Sequence, residues 1–209
     1  GSKFYNGISI VSKDGLSKYR YRKEKLMPFG EYIPYKKFFS LIGPKKILSQ
    51  YNDFSPGKQD PLLLINGLKM GATICLESCY PSLSRKRSQQ GADFLGVVVN
   101  TAWFSDSPAG EQHVQMSVLR AVENRRPVIQ SSNTGISAII DHKGQFLAKS
   151  NLNQQIILRA TIHTGQTRSI YTRFYWFPIL FCIVILIYAH RKIVTLSQAV
   201  LRTIPTNSD

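Results

Sequence analysis

Residues 174–189 (FYWFPILFCIVILIYA) run for 16 positions without a formal charge, and no other stretch limits so strongly what this chain can fold into. A helix apolar on every side is a membrane span or the core of a large protein, and a domain of ordinary size rarely buries one completely. The run is slightly shorter than the ~20 residues that cross a bilayer as a helix. Ile170-Tyr171-Thr172 ahead of it, and the long side chains of Arg173, Arg191 and Lys192, make up the difference by reaching to the interface. Tyr171, Tyr175, Trp176 and Tyr188 fall near the two edges, where amphipathic rings settle at a membrane surface. The run therefore predicts one transmembrane helix, with Pro178 in its first turn or two, where a missing N–H costs least. Arg191 and Lys192 after the span, against Arg168 and Arg173 before it, favour a cytoplasmic C-terminus and a globular part facing outward.

Ahead of the span the composition is globular: 43% hydrophobic residues overall, with 14 Gly and 10 Pro. The 209 residues carry 27 Lys+Arg against 12 Asp+Glu, a formal charge of +15 that points to anionic partners. The positives come as short clusters (Lys36-Lys37, Lys45-Lys46, Arg85-Lys86-Arg87, Arg125-Arg126), not as one arm, and no nucleic-acid module frames them, so nucleic acid is not an expected partner. Solvated faces and attraction to anionic lipid both remain open for these clusters. Three cysteines, Cys75, Cys79 and Cys182, are too few and odd in number for a disulfide framework. Cys75 and Cys79 lack the second Cys/His pair of a zinc site, so no metal is expected, and no cofactor. With no Met at position 1 and no signal peptide, the natural chain is expected to begin upstream.

Local patterns predict the elements. Residues 5–11 and 16–23 read as strands around the turn Lys13-Asp14-Gly15, a hairpin. Residues 23–34, dense in Pro, Gly and charge, form a loop. Residues 35–48 are basic and aromatic, either an amphipathic helix on a membrane surface or a helix packed on the core. Residues 62–65 and Leu68–Ile74 flank Asn66-Gly67, a strong hairpin signal. Residues 80–90 read as a short helix, and 94–100 as a strand buried on both faces. Residues 101–110 form a loop. Residues 111–124 are a helix with Val114, Val118, Ala121 and Val122 on one face and Gln, Arg and Glu opposite. Val128–Ser132, 137–141, 145–148 and 156–162 read as strands. The order is that of an α/β or α+β domain with helices covering a sheet.

The reactive group is sought in LKMGATICLESCY, residues 68–80. An apolar strand that delivers Cys75 and then Glu77 suits a nucleophile lifted out of a sheet at a sharp turn. The alternative is a small buried hydrophobe. A thiol with its ordinary pKa near 8.5 is only a few per cent thiolate at pH 7, so a nearby ammonium or carboxylate must activate it. Acyl chemistry also needs a group that meets the developing oxyanion. Lys23 is the candidate for the oxyanion, Glu31 for fixing Lys23 and sharing its proton traffic, and Glu77 for orienting the loop or binding substrate. Glu24 and Lys25 read as surface charges.

Y-R-K-x-x-L-x-P-F-G-E at 21–31, C-L-E at 75–77, N-x-x-W-F at 100–104, Q-H-x-x-x-x-x-x-R-A-x-E-x-x-R-P at 112–127 and S-N-T-G-I-S-A at 132–138 together resemble the nitrilase superfamily. Within it they resemble the bacterial apolipoprotein N-acyltransferases, from about residue 5 to the end. The resemblance implies an α/β fold, a nitrilase-like αββα sandwich, N-terminally incomplete here and followed by one transmembrane helix. The divisions are then a catalytic domain over 1–165, linker and span over 166–192, and a tail over 193–209. It also implies an inner-membrane location, with the domain in the periplasm, and a Glu-Lys-Cys triad with Lys23 as its lysine and Cys75 as its nucleophile. Glu31 matches a supporting glutamate, and Glu77, Leu76 and Trp103 match positions near the substrate pocket. The implied reaction is ping-pong. Cys75 takes an acyl chain from a phospholipid donor as a thioester, and the α-amine of a lipoprotein's diacylglyceryl-cysteine accepts it.

The chain departs from that pattern in three ways. The family's triad glutamate lies upstream of the lysine, and residues 1–22 contain no glutamate. The preceding transmembrane helices are absent, and Leu76 is aliphatic where the family often has an aromatic. The chain is therefore expected to be a C-terminal piece, a split product or a remnant, partnered by an upstream fragment with the missing glutamate and helices. Alone it is expected to transfer little or no acyl chain. A membrane-tethered amide hydrolase and an inert lipid-binding remnant are the competing readings.

Overall fold

Asn66 and Gly67 both adopt positive φ, 48° and 82°, the left-handed pair that a two-residue hairpin turn requires. The computed structural model describes residues 3–13, 15–36, 53–58, 62–102, 107–165 and 167–203. In it this turn joins β3 (Leu63–Ile65) antiparallel to β4 (Leu68–Ile74). The earlier hairpin pairs β1 (Gly7–Ser12) with β2 (Gly15–Arg22) as a separate two-stranded sheet. After β4 come a 3-10 turn (Cys75–Cys79), α1 (Pro81–Gln89), β5 (Phe94–Val99), α2 (Ala109–Asn124), β6 (Val128–Ser132), β7 (Ala138–Ile140) and β8 (Phe146–Lys149). Pro81 opens α1, a position where its missing N–H is no loss.

The main sheet has the order β3-β4-β5-β6-β7-β8. β4, β5 and β6 run parallel at its centre, and the remaining pairs are antiparallel. Parallel neighbours need crossovers, and α1 and α2 supply them. Strand alternation then assigns the faces. Leu95, Val97 and Val99 of β5, Val128 of β6 and Ala138 and Ile140 of β7 share one core with Val114 and Ala121 of α2. Ala72 and Ile74 of β4 point the other way and pack with Leu63, Tyr21, Ile8 and Ile10 under the β1–β2 hairpin. Burying each large apolar side chain contributes about 1.5–3 kcal/mol. The order of layers is helices, sheet, hairpin, which accounts for three layers of the expected α/β sandwich among the described residues.

Residues 53–58 strap the strand ends that matter below. Phe54 N–H donates to the Glu31 carbonyl at 2.9 Å, Ser55 N–H to Phe4 at 2.7 Å and Gly57 N–H to Lys23 at 2.7 Å. Gly57 must be glycine, because a Cβ there would stand 2.2 Å from the Arg22 carbonyl oxygen.

Several expectations are corrected. Residues 156–162 form no strand, and Ile156 and Ile157 are exposed. Their alternation suits a strand, but no described strand pairs with them, and a strand exists only as part of a ladder. Val122, placed on the core face of α2, is about half exposed, whereas Arg120 on the opposite face is buried. Of the basic clusters, Arg87 and Arg126 are also buried, so they are not solvated charges. Arg126 donates to the carbonyls of Ala92 (2.7 Å), Arg125 (3.1 Å) and Thr167 (3.0 Å). Of residues 35–48, only Tyr35 and Lys36 are described.

The chain divides into two units, 1–172 and 173–209. A short helix α3 (Ile170–Phe174) runs across that division; Ser169 caps it, its hydroxyl accepting from Thr172 N–H at 2.9 Å and donating to the Glu123 carbonyl. The second unit contains the helix α4 (Phe177–Thr203). It starts three residues later than the apolar run and continues through Arg191 and Lys192, because charge alone does not end a helix. Pro178 is its second residue. Its stretch Phe177–Thr195, 19 residues, is long and apolar enough to cross a membrane and lies unburied.

Candidate active site

The carboxyl ends of the parallel strands β4 and β5 open onto a cavity of about 240 Å³, the side of an open α/β sheet where ligands bind. Cys75 follows the last residue of β4 and has φ 50°, the left-handed region, unusual for a residue with a Cβ. It begins the 3-10 turn, is half-buried, and lines the cavity. Leu76, Cys79, Met27 and Thr101 join it on the wall, and α2 contributes Ala109, Gln112, His113 and Met116. The lining is overwhelmingly apolar. Burial pushes the Cys79 thiol up, which outweighs the Ser78 hydrogen bond and Arg120.

Lys23 follows β2 and is 2% exposed. Its ammonium meets Glu31 Oε2 at 2.8 Å. Glu31 also accepts from the Met27 N–H at 2.8 Å and from Asn6 Nδ2 at 2.7 Å. Burial opposes ionisation of Glu31, but these three hydrogen bonds and the Lys23 charge outweigh it and hold the carboxyl below its usual range. The sequence paired the same two residues; the structure adds that Glu31 folds the loop around Lys23.

Glu77 has no exposed surface. Oε2 accepts from the Tyr21 hydroxyl at 2.6 Å and from Ile74 N–H at 2.8 Å. Oε1 accepts from Glu24 and Lys25 N–H at 2.7 and 2.9 Å. One carboxylate thus ties β2, the loop that leaves it and the Cys75 turn together. Of the two roles open to it, orienting the loop has this geometry; Glu77 is not among the cavity-lining residues, whereas Leu76 is. Burial first, and then the Glu77 charge, push the Tyr21 phenol well above its ordinary pKa, so it stays a donor. Arg87 lies over the Tyr21 ring, its guanidinium carbon 5.0 Å from the centroid. It also pairs with Glu24, which is therefore not the plain surface charge expected. Trp103 lies outside the described residues.

The loops after β5 and β6 are latched. Asn133 Nδ2 donates to Asn100 Oδ1 at 2.8 Å, and Asn133 Oδ1 accepts from Thr101 N–H at 3.2 Å and Thr134 N–H at 2.8 Å. The Thr101 hydroxyl stands 3.3 Å from Ser132 Oγ.

Sequence reasoning gave no role to His113, Met116, Thr101 or Met27. His113, Met116 and Arg120 recur at helical spacing on α2, the signal that would have found the first two. That stripe faces the 3-10 turn: His113 Nε2 lies 3.1 Å from the Cys75 carbonyl and 3.3 Å from Ser78 Oγ. Arg120 Nη1 donates to the Ser78 carbonyl at 3.3 Å. Among the described residues, no three His, Cys, Asp or Glu side chains gather as metal ligands do.

The sequence profile of the carbon-nitrogen hydrolase family matches residues 1–172. The chain is similar to the apolipoprotein N-acyltransferase of Geobacter metallireducens, 37% identical over 172 residues, which cover 82% of this chain and 33% of that protein. With the apolipoprotein N-acyltransferase of Aquifex aeolicus it shares 35% identity over 159 residues, 76% of this chain and 35% of that protein. The chain thus spans about a third of the length of these curated relatives. Among solved structures it resembles the carbon-nitrogen hydrolase from Helicobacter pylori G27, at TM-score 0.52 and 22% identity over 70% of this chain and 52% of that one. The NitFhit protein of C. elegans matches at TM-score 0.54 and 20% identity, over 71% of this chain and 35% of that one. At these identities the two structures speak for the fold alone.

Proposed function

The chain belongs to the carbon-nitrogen hydrolase family, and from that premise we propose that it carries the nucleophile half of an N-acyltransferase centre acting on lipid at a membrane surface. The observation that carries the reading is Cys75, a thiol on a left-handed turn at the wall of an apolar cavity. The Lys23–Glu31 pair, the relatives' name and the unburied apolar helix support it.

In the proposed reaction the Cys75 thiolate attacks the ester carbonyl of a phospholipid. The tetrahedral oxyanion is met by the Lys23 ammonium, which Glu31 holds in place. Collapse breaks the ester bond, releases the lysophospholipid alcohol with a proton, and leaves a Cys75 thioester. The α-amine of a diacylglyceryl-cysteine then attacks the thioester, forms the amide, gives up a proton and returns the thiol. Cavity walls such as Met27, Leu76 and Met116 suit an acyl chain, and Trp103 is proposed to join Leu76 at the substrate. The base is a glutamate, and residues 1–22 contain none; it is proposed to come from a preceding segment. The domain is proposed to face the periplasm, tethered by α4 in the inner membrane.

The test is the intact mass of the chain after incubation with phospholipid vesicles, alone and with the preceding segment of a relative. The expected result is a hydroxylamine-sensitive acyl adduct on Cys75 when the segment is present, absent in Cys75→Ser. No adduct in either mixture would sink the reading. Transfer of the chain to a diacylglyceryl peptide, against its loss to water, separates acyltransferase from hydrolase.

A further inference from the structure

We propose that His113 is a positioning residue, which holds Cys75 in its left-handed conformation through the Cys75 carbonyl and does not act as the thiol's base. A Cys and a His on one cavity wall invite the opposite reading, a dyad in which imidazole takes the thiol proton. The hydrogen bonds oppose that. His113 Nε2 meets the backbone carbonyl of Cys75 at 3.1 Å. A carbonyl only accepts, so Nε2 carries the hydrogen and donates it to the main chain, sharing it with Ser78 Oγ at 3.3 Å. Burial outweighs the Cys75 carbonyl and pulls the imidazole below its ordinary pKa. The other ring nitrogen, Nδ1, which holds the basic lone pair, is buried and makes no hydrogen bond among the described residues, the Cys75 thiol included. The ring is then neutral at pH 7, and its one N–H is committed.

The bond sits where the chain most needs one. Cys75 has φ 50° and a Cβ, and such a conformation persists only when its surroundings over-determine it. Three side chains do so here. Glu77 holds the N–H of Ile74 from before the turn. His113 holds the Cys75 carbonyl. One stripe further along α2, Arg120 holds the Ser78 carbonyl at 3.3 Å. Without His113, Cys75 is free to relax to an ordinary φ, and its side chain leaves the cavity wall.

This rests on Cys75 being the nucleophile, but its test needs no acyl transfer, so failure of the one leaves the other readable. The full chain in detergent micelles is alkylated with iodoacetamide from pH 6 to pH 10, and the Cys75 peptide is followed by mass spectrometry. His113→Gln keeps an N–H of similar reach and is expected to react within about two-fold of the parent. His113→Asn and His113→Leu cannot reach the carbonyl and are expected to react about ten-fold more slowly, about 1.4 kcal/mol in barrier. The titration midpoint of Cys75 is expected to be the same in every variant that folds. A shifted midpoint in His113→Gln, the mark of an imidazole acting on the thiol, overturns the proposal. So does a His113→Asn that reacts like the parent, and should His113→Leu not fold, these two variants decide.

Discussion

At Cys75 the chemistry and the backbone oppose each other. A left-handed conformation costs a residue with a Cβ about 1–2 kcal/mol, and glycine almost nothing. Cys75→Gly should therefore be more stable than Cys75→Ala by about 1 kcal/mol. Urea unfolding of the two variants measures this, and equal midpoints would remove the strain from the account. Glu77 is the complementary case, a carboxylate buried for structure. It accepts from Tyr21, Ile74, Glu24 and Lys25, so every lone pair in use faces a donor. Glu77→Gln turns one acceptor into an NH2 group aimed at other N–H groups, and should cost about 3 kcal/mol. Loosening of the 23–31 loop should accompany it, visible as faster amide exchange at Glu24 and Lys25. The residue was legible in the sequence as a carboxylate two places after a cysteine. That Tyr21, 56 residues earlier, delivers a hydroxyl to it was not.

Among the elements, the 23–31 loop is held by charge, the hairpins by turn geometry. Glu31 titrates in the native state below the 4.5 of a free glutamate. A group with a depressed native pKa adds stability that is complete above its unfolded value and is lost as pH falls through the native one. The loop should therefore loosen as pH drops below about 4.5. Glu31→Gln should be less stable at pH 7 and show a flatter acid limb in urea titrations from pH 7 to pH 3. An unchanged acid limb would mean that Glu31 does not govern it. The hairpins were readable because Asn66-Gly67 encodes its own conformation. α2 was readable from its valines, yet its opposite face was not, because burial of Arg120 depends on a carbonyl at Ser78, 42 residues away. Residues 156–162 carry the alternation of a strand and form none among the described residues, because alternation describes a surface while a strand needs a neighbour's hydrogen bonds.

For the molecule as a whole, α4 sets the surroundings the chain requires. At about 1.5 Å per residue, the 19 residues of Phe177–Thr195 span about 28 Å, close to the ~30 Å of a bilayer's hydrocarbon core. A lysine at the centre of a spanning helix costs about 2.5–3.5 kcal/mol. The pair Ile183→Lys and Ile187→Lys should therefore move the protein from carbonate-washed membranes to the soluble fraction; a double variant that stays in the pellet refutes the span. The apolar run, the turns, the strands from β1 to β8 in chain order and the candidates Lys23, Glu31 and Cys75 were legible in the sequence itself. Each is a local property: a run of side chains, a preferred φ, a residue type at a strand end. What only the tertiary structure decided is which distant groups meet. Glu77 became a tie because Tyr21 reaches it, Arg87 a buried partner because Glu24 turns inward, and His113 a neighbour of Cys75 across 38 residues. Those pairings exist once the β1–β2 hairpin packs on β4 and the helices α1 and α2 lie against the Cys75 turn, and no local pattern carries that distance.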